Sequence, residues 1–496
     1  MHRIFRGAAV LVALFLTVPA AAQDITLVAR NGGLALSGQL IAYDGEYYRI
    51  SSAYGPLTID AQGVICEGPA CPDLMAPQVR MRIIGDTALA GRVLGPLFVA
   101  FANSRGLVYR DDPASGATIT DPLSNQVLAR ISLAEAPQSR IQAALIGGQA
   151  DMAVTYAALP GLRARTLALE PLIPIAAREQ SLAQIRSDDL AAALTGQVTN
   201  WSAIGGPDMP IVIHALRPED GLSQIIEARL GAPLATGPRH ATAETLAQAV
   251  ARDPWALSLG GQSQSHAARS LLLTDRCGFP LPATPLTVKA EDYPLTAPAF
   301  LLTPRRRLPL LMREFLEFLA TDAAQMAIAS TGLIDRRVGT APLTEDGQRL
   351  LGAIRNAGPD VTLEELQSLA AAMTGGERLS LTFRFRDGSA ELDDHSRDNL
   401  EDLARLITTG QAKGHRLTLA GFSDGSGDPG VNKALSRDRA EAVRSRLRAI
   451  APDLTEDDLP AIQAFGEALP MACDTTAAGR QINRRVELWQ HPASFP

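Results

Sequence analysis

Near the end of the chain an apolar strand, Leu417-Thr-Leu419, runs into the glycine-rich turn Gly421-Phe-Ser-Asp424-Gly-Ser-Gly427, and a helical pattern follows. That pattern carries Asn432, Leu435, Ser436 and Arg439, and the run Asn483-Arg484-Arg485-Val486-Glu487 opens a last strand. Strand, polar turn and helix in this succession constrain the region to helices packed on a sheet. They also fix an acid, Asp424, and a base, Arg439, on one scaffold. Such a pair can hold a zwitterion: the carboxylate takes an ammonium, and the guanidinium takes a carboxylate in a fork. Taken alone, Asp424 beside Gly425 is an ordinary turn former. Arg439 alone is an ordinary surface partner for Asp438 or Glu441. Their order, together with Asn432 and the Arg484-Arg485 pair, favours a site.

The surrounding framework is regular. Leu379-Ser-Leu-Thr-Phe383-Arg-Phe385 alternates as a strand, Gly388-Ser389-Ala390-Glu-Leu392 is a turn, and Leu400, Leu403, Leu406 and Ile407 share a helical face. Leu435, Val443, Leu447 and Ile450 mark a second helix. Over residues 378–490 these motifs resemble the OmpA-like C-terminal domain, a family that binds the diaminopimelate stem peptide of peptidoglycan. The resemblance implies a βαβαβ domain in which Asp424 meets the diaminopimelate ammonium and Arg439 its carboxylate. It places Asn432 in the same pocket and makes Arg485 a further candidate.

A chain of 496 residues exceeds one ordinary core, so several domains are expected. The formal charge of −7 leaves no excess of Lys and Arg to neutralise phosphates, which argues against a nucleic-acid partner. At the start, His2, Arg3 and Arg6 precede an apolar run and Ala20-Ala21-Ala22, the pattern of a signal peptide over residues 1–22 with cleavage before Gln23. The run is shorter than the roughly 20 residues a membrane-spanning helix needs, so no spanning segment is expected in the mature chain. In an exported protein, Cys66 and Cys71 are expected to close a small loop. Cys277 and Cys473 fall in different domains and are not expected to pair.

Residues 23–76 read as a small β-rich module of short alternating strands separated by turns such as Asn31-Gly32-Gly33 and Asp44-Gly45. Residues 80–338 change to alternating strands and helices, the mark of an α/β arrangement. Arg82-Ile-Ile84 enters Gly85-Asp86-Thr87 at a helix start, where backbone N–H groups and the helix dipole favour an anion. Further on come Thr199-Asn200-Trp201-Ser202, Gly205-Gly206 and Arg217-Pro-Glu-Asp-Gly221-Leu222-Ser223. Together these resemble the periplasmic phosphate-binding (PstS-like) family, a type 2 periplasmic binding protein fold with two lobes and a ligand cleft between them. The resemblance makes Thr87, Arg217 and Ser223 candidate anion-binding residues. The chain also departs from it. Leu222 replaces a glycine and a hydroxyl is lost with it, and Thr155-Tyr156 stands where Ser-Asp is expected. Each missing group costs about 1–3 kcal/mol, enough together to weaken phosphate binding about a hundredfold. Phosphate, another small anion and a retired cleft therefore remain open. Residues 339–377 read as a connector with some helix.

No catalytic motif is evident. The seven histidines are scattered, Ser426 lacks a Gly-x-Ser-x-Gly elbow, and no Walker loop occurs. The expectation is a multidomain α/β and α+β protein, non-enzymatic, with no cofactor or metal, held at the cell wall on the outer-membrane side of the periplasm. Its partners would be peptidoglycan and, through the middle domain, phosphate or another small anion. The alternatives are a phosphate-binding receptor of an ABC importer, or an interaction scaffold whose cleft no longer functions.

Overall fold

The computed structural model describes residues 24–29, 33–43, 47–71, 79–112, 116–342, 350–352, 354, 358, 360–385 and 391–493. The signal-peptide expectation and the turn at Gly388-Ser389-Ala390 lie outside them.

The N-terminal module is one antiparallel sheet in the order Gly55–Asp60, Tyr47–Ser52, Ala35–Tyr43, Asp24–Ala29, Val64–Glu67. Strand alternation sends Ile25, Leu27, Tyr48 and Ile50 to one face, where they form a small core. A core this small benefits from a staple, and a disulfide joins Cys66 to Cys71, with Cα atoms 5.8 Å apart. Arg307 of the middle domain lies over the Tyr47 ring, 4.2 Å from its centroid.

The middle domain is organised by one long strand, Arg163–Ala176. Its apolar run is buried throughout, as a strand covered on both faces must be. The first half pairs antiparallel with Thr296–Thr303 and the second half with Ala256–Gly261. The chain thus passes from one lobe to the other along Arg163–Ala176 and returns along Thr296–Thr303. In the first lobe Val79–Gly85 lies between Gln126–Glu135 and Met152–Thr155. Helix Thr87–Ser104 covers it and packs Phe98 and Phe101 against Phe315. In the second lobe helices Ser187–Leu194, Gly221–Leu230 and Ala243–Arg252 bury Leu190, Leu194, Ile226, Leu246 and Val250.

The C-terminal sheet runs Thr340–Pro342, Glu377–Phe383, Arg485–Pro492, His415–Phe422, Ala461–Ala464. Its last pair is parallel and the others antiparallel. Helices Asp394–Thr408 and Pro429–Ile450 contribute Leu400, Leu403, Leu406, Val443 and Leu447 to a core with Leu381, Phe383, Leu419, Val486 and Leu488. The segment read as a connector differs from its expectation. Thr340–Pro342 is an edge strand of this sheet, and helix Leu363–Met373 lays Leu369 and Met373 on Phe422 and Trp489.

The cysteine expectation needs a correction. Cys277 and Cys473 are joined, with Cα atoms 5.4 Å apart, although 196 residues separate them. The second lobe docks directly on the C-terminal domain and brings the two together.

Candidate functional site

Strand His415–Phe422 delivers the chain to a turn whose geometry depends on glycine. Gly427 has φ of 100°, and a Cβ on Gly425 would come within 2.8 Å of an Asp474 carboxylate oxygen. Asp428 then caps helix Pro429–Ile450 by accepting the Val431 N–H at 3.0 Å, and proline stands at the first helical position. A Cβ on Gly421 would meet the Ser436 carbonyl at 2.0 Å, so the helix sits closer to the strand than any other residue allows.

On this frame Asp424 accepts the Ser426 N–H at 3.1 Å through Oδ1 and Arg484 Nη1 at 3.2 Å through Oδ2. Burial pushes its pKa up, but the hydrogen bonds from Arg484 and Ser426 outweigh burial and hold it below the ordinary carboxylate value. Arg439, half-buried on the helix, lies in the field of both groups. Burial and the Arg484 charge depress its pKa while Asp424 raises it. Its Nη1 is buried, and among the described residues no acceptor reaches it. The cluster therefore holds one carboxylate, two guanidinium groups and a donor with nothing to bond. It can accept an anionic group at Arg439 and a cationic group at Asp424.

The other candidates fare differently. Asn432 lies two helical turns before Arg439 on the same face, and its amide is committed to Glu467 at 3.1 Å. Arg485 is a correction. It is fully buried, bonds Glu487 at 2.7 Å and the Leu469 carbonyl at 3.0 Å, and lies 4.3 Å from the centroid of the Phe422 ring. It is a core residue that no ligand reaches. Strand alternation explains the swap: Arg485, Glu487 and Trp489 share one face, so the residue beside them, Arg484, is the one that faces Asp424. The sequence reading also missed Asp474, which accepts the Gly425 N–H at 2.9 Å and the Asn483 side-chain amide at 2.7 Å.

The middle-domain candidates do not assemble as free donors. The Thr87 hydroxyl donates to Glu135, which also accepts the Thr87 N–H at 3.1 Å. Ser223 donates to the Leu216 carbonyl at 3.2 Å, and Arg217 is exposed. Asp86 caps helix Thr87–Ser104 through the Leu89 N–H at 2.9 Å. It also lies close to Gly221, the first residue of the helix Gly221–Leu230 in the opposite lobe, where a Cβ would come within 2.6 Å of Asp86 Oδ2. Burial and nearby Glu135 raise the Asp86 pKa against its backbone hydrogen bonds. Asp220 caps that second helix at Leu222 (2.9 Å), and burial pushes its pKa up to about 6. Tyr156 and Leu222 are 7% and 5% exposed and fill the space alongside. The positive ends of two helices thus face across the cleft, each capped by the chain's own carboxylates. An incoming oxyanion meets negative charge there.

Two histidines that look scattered in sequence also meet. His214 and His240 ring nitrogens are 3.1 Å apart, and His214 bonds Asp253 at 3.0 Å. Among the described residues no group of three or more His, Cys, Asp and Glu is arranged to hold a metal, and no helix is long and apolar enough to cross a membrane.

Residues 384–484 match the model of the OmpA family. The C-terminal domain is an OmpA domain. The chain is 27% identical over 170 residues to the peptidoglycan-binding protein ArfA of Mycobacterium tuberculosis, covering 30% of this chain and 49% of that one. It therefore spans about half the length of that relative. It is 32% identical over 108 residues to the outer-membrane lipoprotein YfiB of Pseudomonas aeruginosa, covering 21% of this chain and 59% of the relative. Among solved structures it is similar to an ABC-type phosphate transport receptor from Vibrio cholerae, at 17% identity and a TM-score of 0.41, over 51% of this chain and 99% of that one.

The OmpA domain is held to the middle domain through polar contacts, some of them deeply buried. Asp292, 3% exposed, accepts Arg378 Nη1 at 2.7 Å and Arg384 Nη2 at 3.1 Å. Arg384 also donates to the Ile482 carbonyl at 2.6 Å. Arg336 of the middle domain pairs with Asp398 and Asp402 at 3.3 and 2.7 Å. With the Cys277–Cys473 disulfide, these contacts make the OmpA domain and the second lobe one continuous body.

Proposed function

We propose that this chain is a non-catalytic cell-envelope protein that binds peptidoglycan through its OmpA domain, gripping the diaminopimelate of the stem peptide. The observation that carries the reading is the buried, unbonded Nη1 of Arg439 beside the Asp424–Arg484 pair. A zwitterionic amino acid satisfies both, its carboxylate filling the Arg439 fork and its ammonium meeting Asp424. Arg484 competes for Asp424 and is displaced or shared on binding. The match to the OmpA family and the similarity to ArfA, a peptidoglycan-binding protein, support the same chemistry. Removal of an exported leader would leave the protein in the periplasm, associated with the wall on its outer-membrane side.

The decisive experiment is retention on purified sacculi of the full protein, compared with Asp424→Ala and Arg439→Ala. Each variant should lose most retention while keeping its thermal midpoint. Undiminished retention of both would end the reading. A muropeptide-release assay should give no product.

For the middle domain we infer an interaction scaffold. Its cleft is filled by Tyr156 and Leu222, and Asp86, Glu135 and Asp220 occupy the donors that an anion would need. Calorimetric titration of the intact protein with inorganic phosphate should give no heat. A micromolar constant would instead favour the importer-receptor alternative.

A further inference from the structure

The turn that carries Asp424 is held from below by a short segment of its own domain, Met471-Ala472-Cys473-Asp474. Asp474 accepts the Gly425 N–H through Oδ2 (2.9 Å) and the Asn483 amide through Oδ1 (2.7 Å). Asn483 in turn accepts the N–H groups of Met471 at 2.7 Å and Ala472 at 3.0 Å. The next link leaves the domain. Cys473 is bonded to Cys277, and its N–H donates to Asp275 Oδ2 at 2.6 Å. Asp275 is buried and also folds its own turn, accepting the Cys277 and Phe279 N–H groups at 3.0 and 2.8 Å. An unbroken chain of bonds therefore runs from a turn of the second lobe, through the disulfide and Asp474, to the residue after Asp424.

We infer that Asp474 is a positioning residue for the wall-binding clamp, and that the Cys277–Cys473 bond to the middle domain keeps Asp474 in place, so that wall affinity depends on this cross-link. The inference rests on the wall-binding reading of Asp424 and Arg439. The physical reason lies in the acceptor count. Asp474 serves two donors at once, one on each oxygen. An amide at 474 offers one acceptor oxygen, so either the Gly425 or the Asn483 bond is lost. Without the Gly425 bond the turn no longer presents Asp424 to Ser426 and Arg484 in one geometry.

The test uses the full-length oxidised protein and binding isotherms on purified sacculi. The variants are Asp424→Ala, Asp474→Asn, the pair Cys277→Ser with Cys473→Ser, and Asp424→Ala with Asp474→Asn. Asp474→Asn and the double-serine protein should each bind about 10- to 150-fold more weakly, the range of one lost charge-assisted hydrogen bond. The combined Asp424→Ala, Asp474→Asn protein should bind no more weakly than Asp424→Ala alone, because Asp474 acts only through the clamp. In Asp474→Asn the acid limb of the binding profile should also move to higher pH, since Asp424 loses hydrogen bonds that hold its carboxylate charged. Should the double-serine protein fail to fold, the wild-type isotherm before and after reduction of the folded protein reads the cross-link, and Asp474→Asn with its pH profile reads the positioning; unchanged affinity on loss of the cross-link would overturn that part of the inference. Wild-type affinity in Asp474→Asn, or full additivity with Asp424→Ala, would overturn the inference. If Asp424→Ala and Arg439→Ala both bind normally, the wall reading falls and takes this one with it.

Discussion

Replacing Asp292 with alanine tests whether buried charge, and not only the disulfide, holds the OmpA domain to the middle domain. In the native protein Asp292 faces Arg378 and Arg384, whose side chains are 1% and 5% exposed. Removing it leaves both guanidinium groups out of water. Arg378 keeps Thr382 at 3.3 Å and a longer approach to Glu487 at 3.5 Å, while Arg384 keeps backbone carbonyls at positions 290, 291, 481 and 482. Stripping one partner from a buried ion cluster costs about 3–5 kcal/mol. At roughly 2–4 °C per kcal/mol for a body of this size, the melting midpoint should fall on the order of 10 °C. The disulfide stays, so the loss appears in the midpoint and not as separation of the domains. Calorimetric melts of the oxidised protein read it directly. A second variant, Asp292→Leu with Arg378→Met, removes one charge of each sign, and should recover at least half of the loss because a matched apolar pair costs no desolvation. A midpoint shift below about 2 °C in Asp292→Ala would refute the argument, as would a double variant no better than the single one, since either means that water reaches the arginines.

Three further outcomes follow from the same physical reasoning. Asp220 has a folded-state pKa of about 6, above the ordinary 3.8, so its charge opposes folding. That cost is absent below about pH 4, grows as pH rises through 4 to 6, and is complete above 6. Asp220→Asn should therefore match wild type in acid and exceed it at pH 7, by no more than about 3 kcal/mol, in melts taken across pH; equal stability at pH 7 would contradict it. Arg485→Ala should cost about 3–5 kcal/mol by stranding buried Glu487, and should reduce sacculus retention only in proportion to the unfolded fraction measured in the same sample. Asp86→Ala with Glu135→Ala should free the Leu89 and Thr87 N–H groups and remove two facing carboxylates, and phosphate heats absent in wild type should appear at millimolar concentration.

The parts of this protein legible in sequence are those set by local pattern. The turn around Asp424, the helix carrying Arg439 and the alternating strands of the N-terminal module all follow from spacing and glycine chemistry. What escaped depends on partners far away in the chain. Leu369 and Met373 look like linker residues until Phe422 and Trp489 arrive beneath them. Arg378, Ser380 and Thr382 read as the wet face of an alternating strand, yet all three are buried, with Arg378 reaching Asp292 of the middle domain. The Arg484–Arg485 choice turned on one residue of strand phase, and a shift of one exchanges the buried face for the open one. Tyr156 and Leu222 were visible as departures, and they do occupy the cleft. The role of Asp86 was within reach, since Asp before a helix is a common cap, but its approach to Gly221 across the cleft is tertiary.

The two candidate sites of this chain differ in how their polar groups are satisfied. At the middle cleft the Thr87 and Leu89 N–H groups of one helix and the Leu222 N–H of the other already meet Glu135, Asp86 and Asp220. An anion that enters there is brought against like charges. At the OmpA domain a guanidinium nitrogen is held out of water with nothing to bond. An unsatisfied buried donor costs about 1–3 kcal/mol, and a folded chain could relieve that cost by turning Arg439 outward, as it does with many surface arginines. It keeps the cost instead, next to a carboxylate held charged below its ordinary pKa. Arg485, equally buried and next in sequence to the clamp's Arg484, shows the opposite solution, with acceptors at Glu487, Leu469 and Asn483. Arg439 differs from Arg485 in this respect, and on the proposed reading a ligand carboxylate would supply the acceptor that its Nη1 lacks among the described residues.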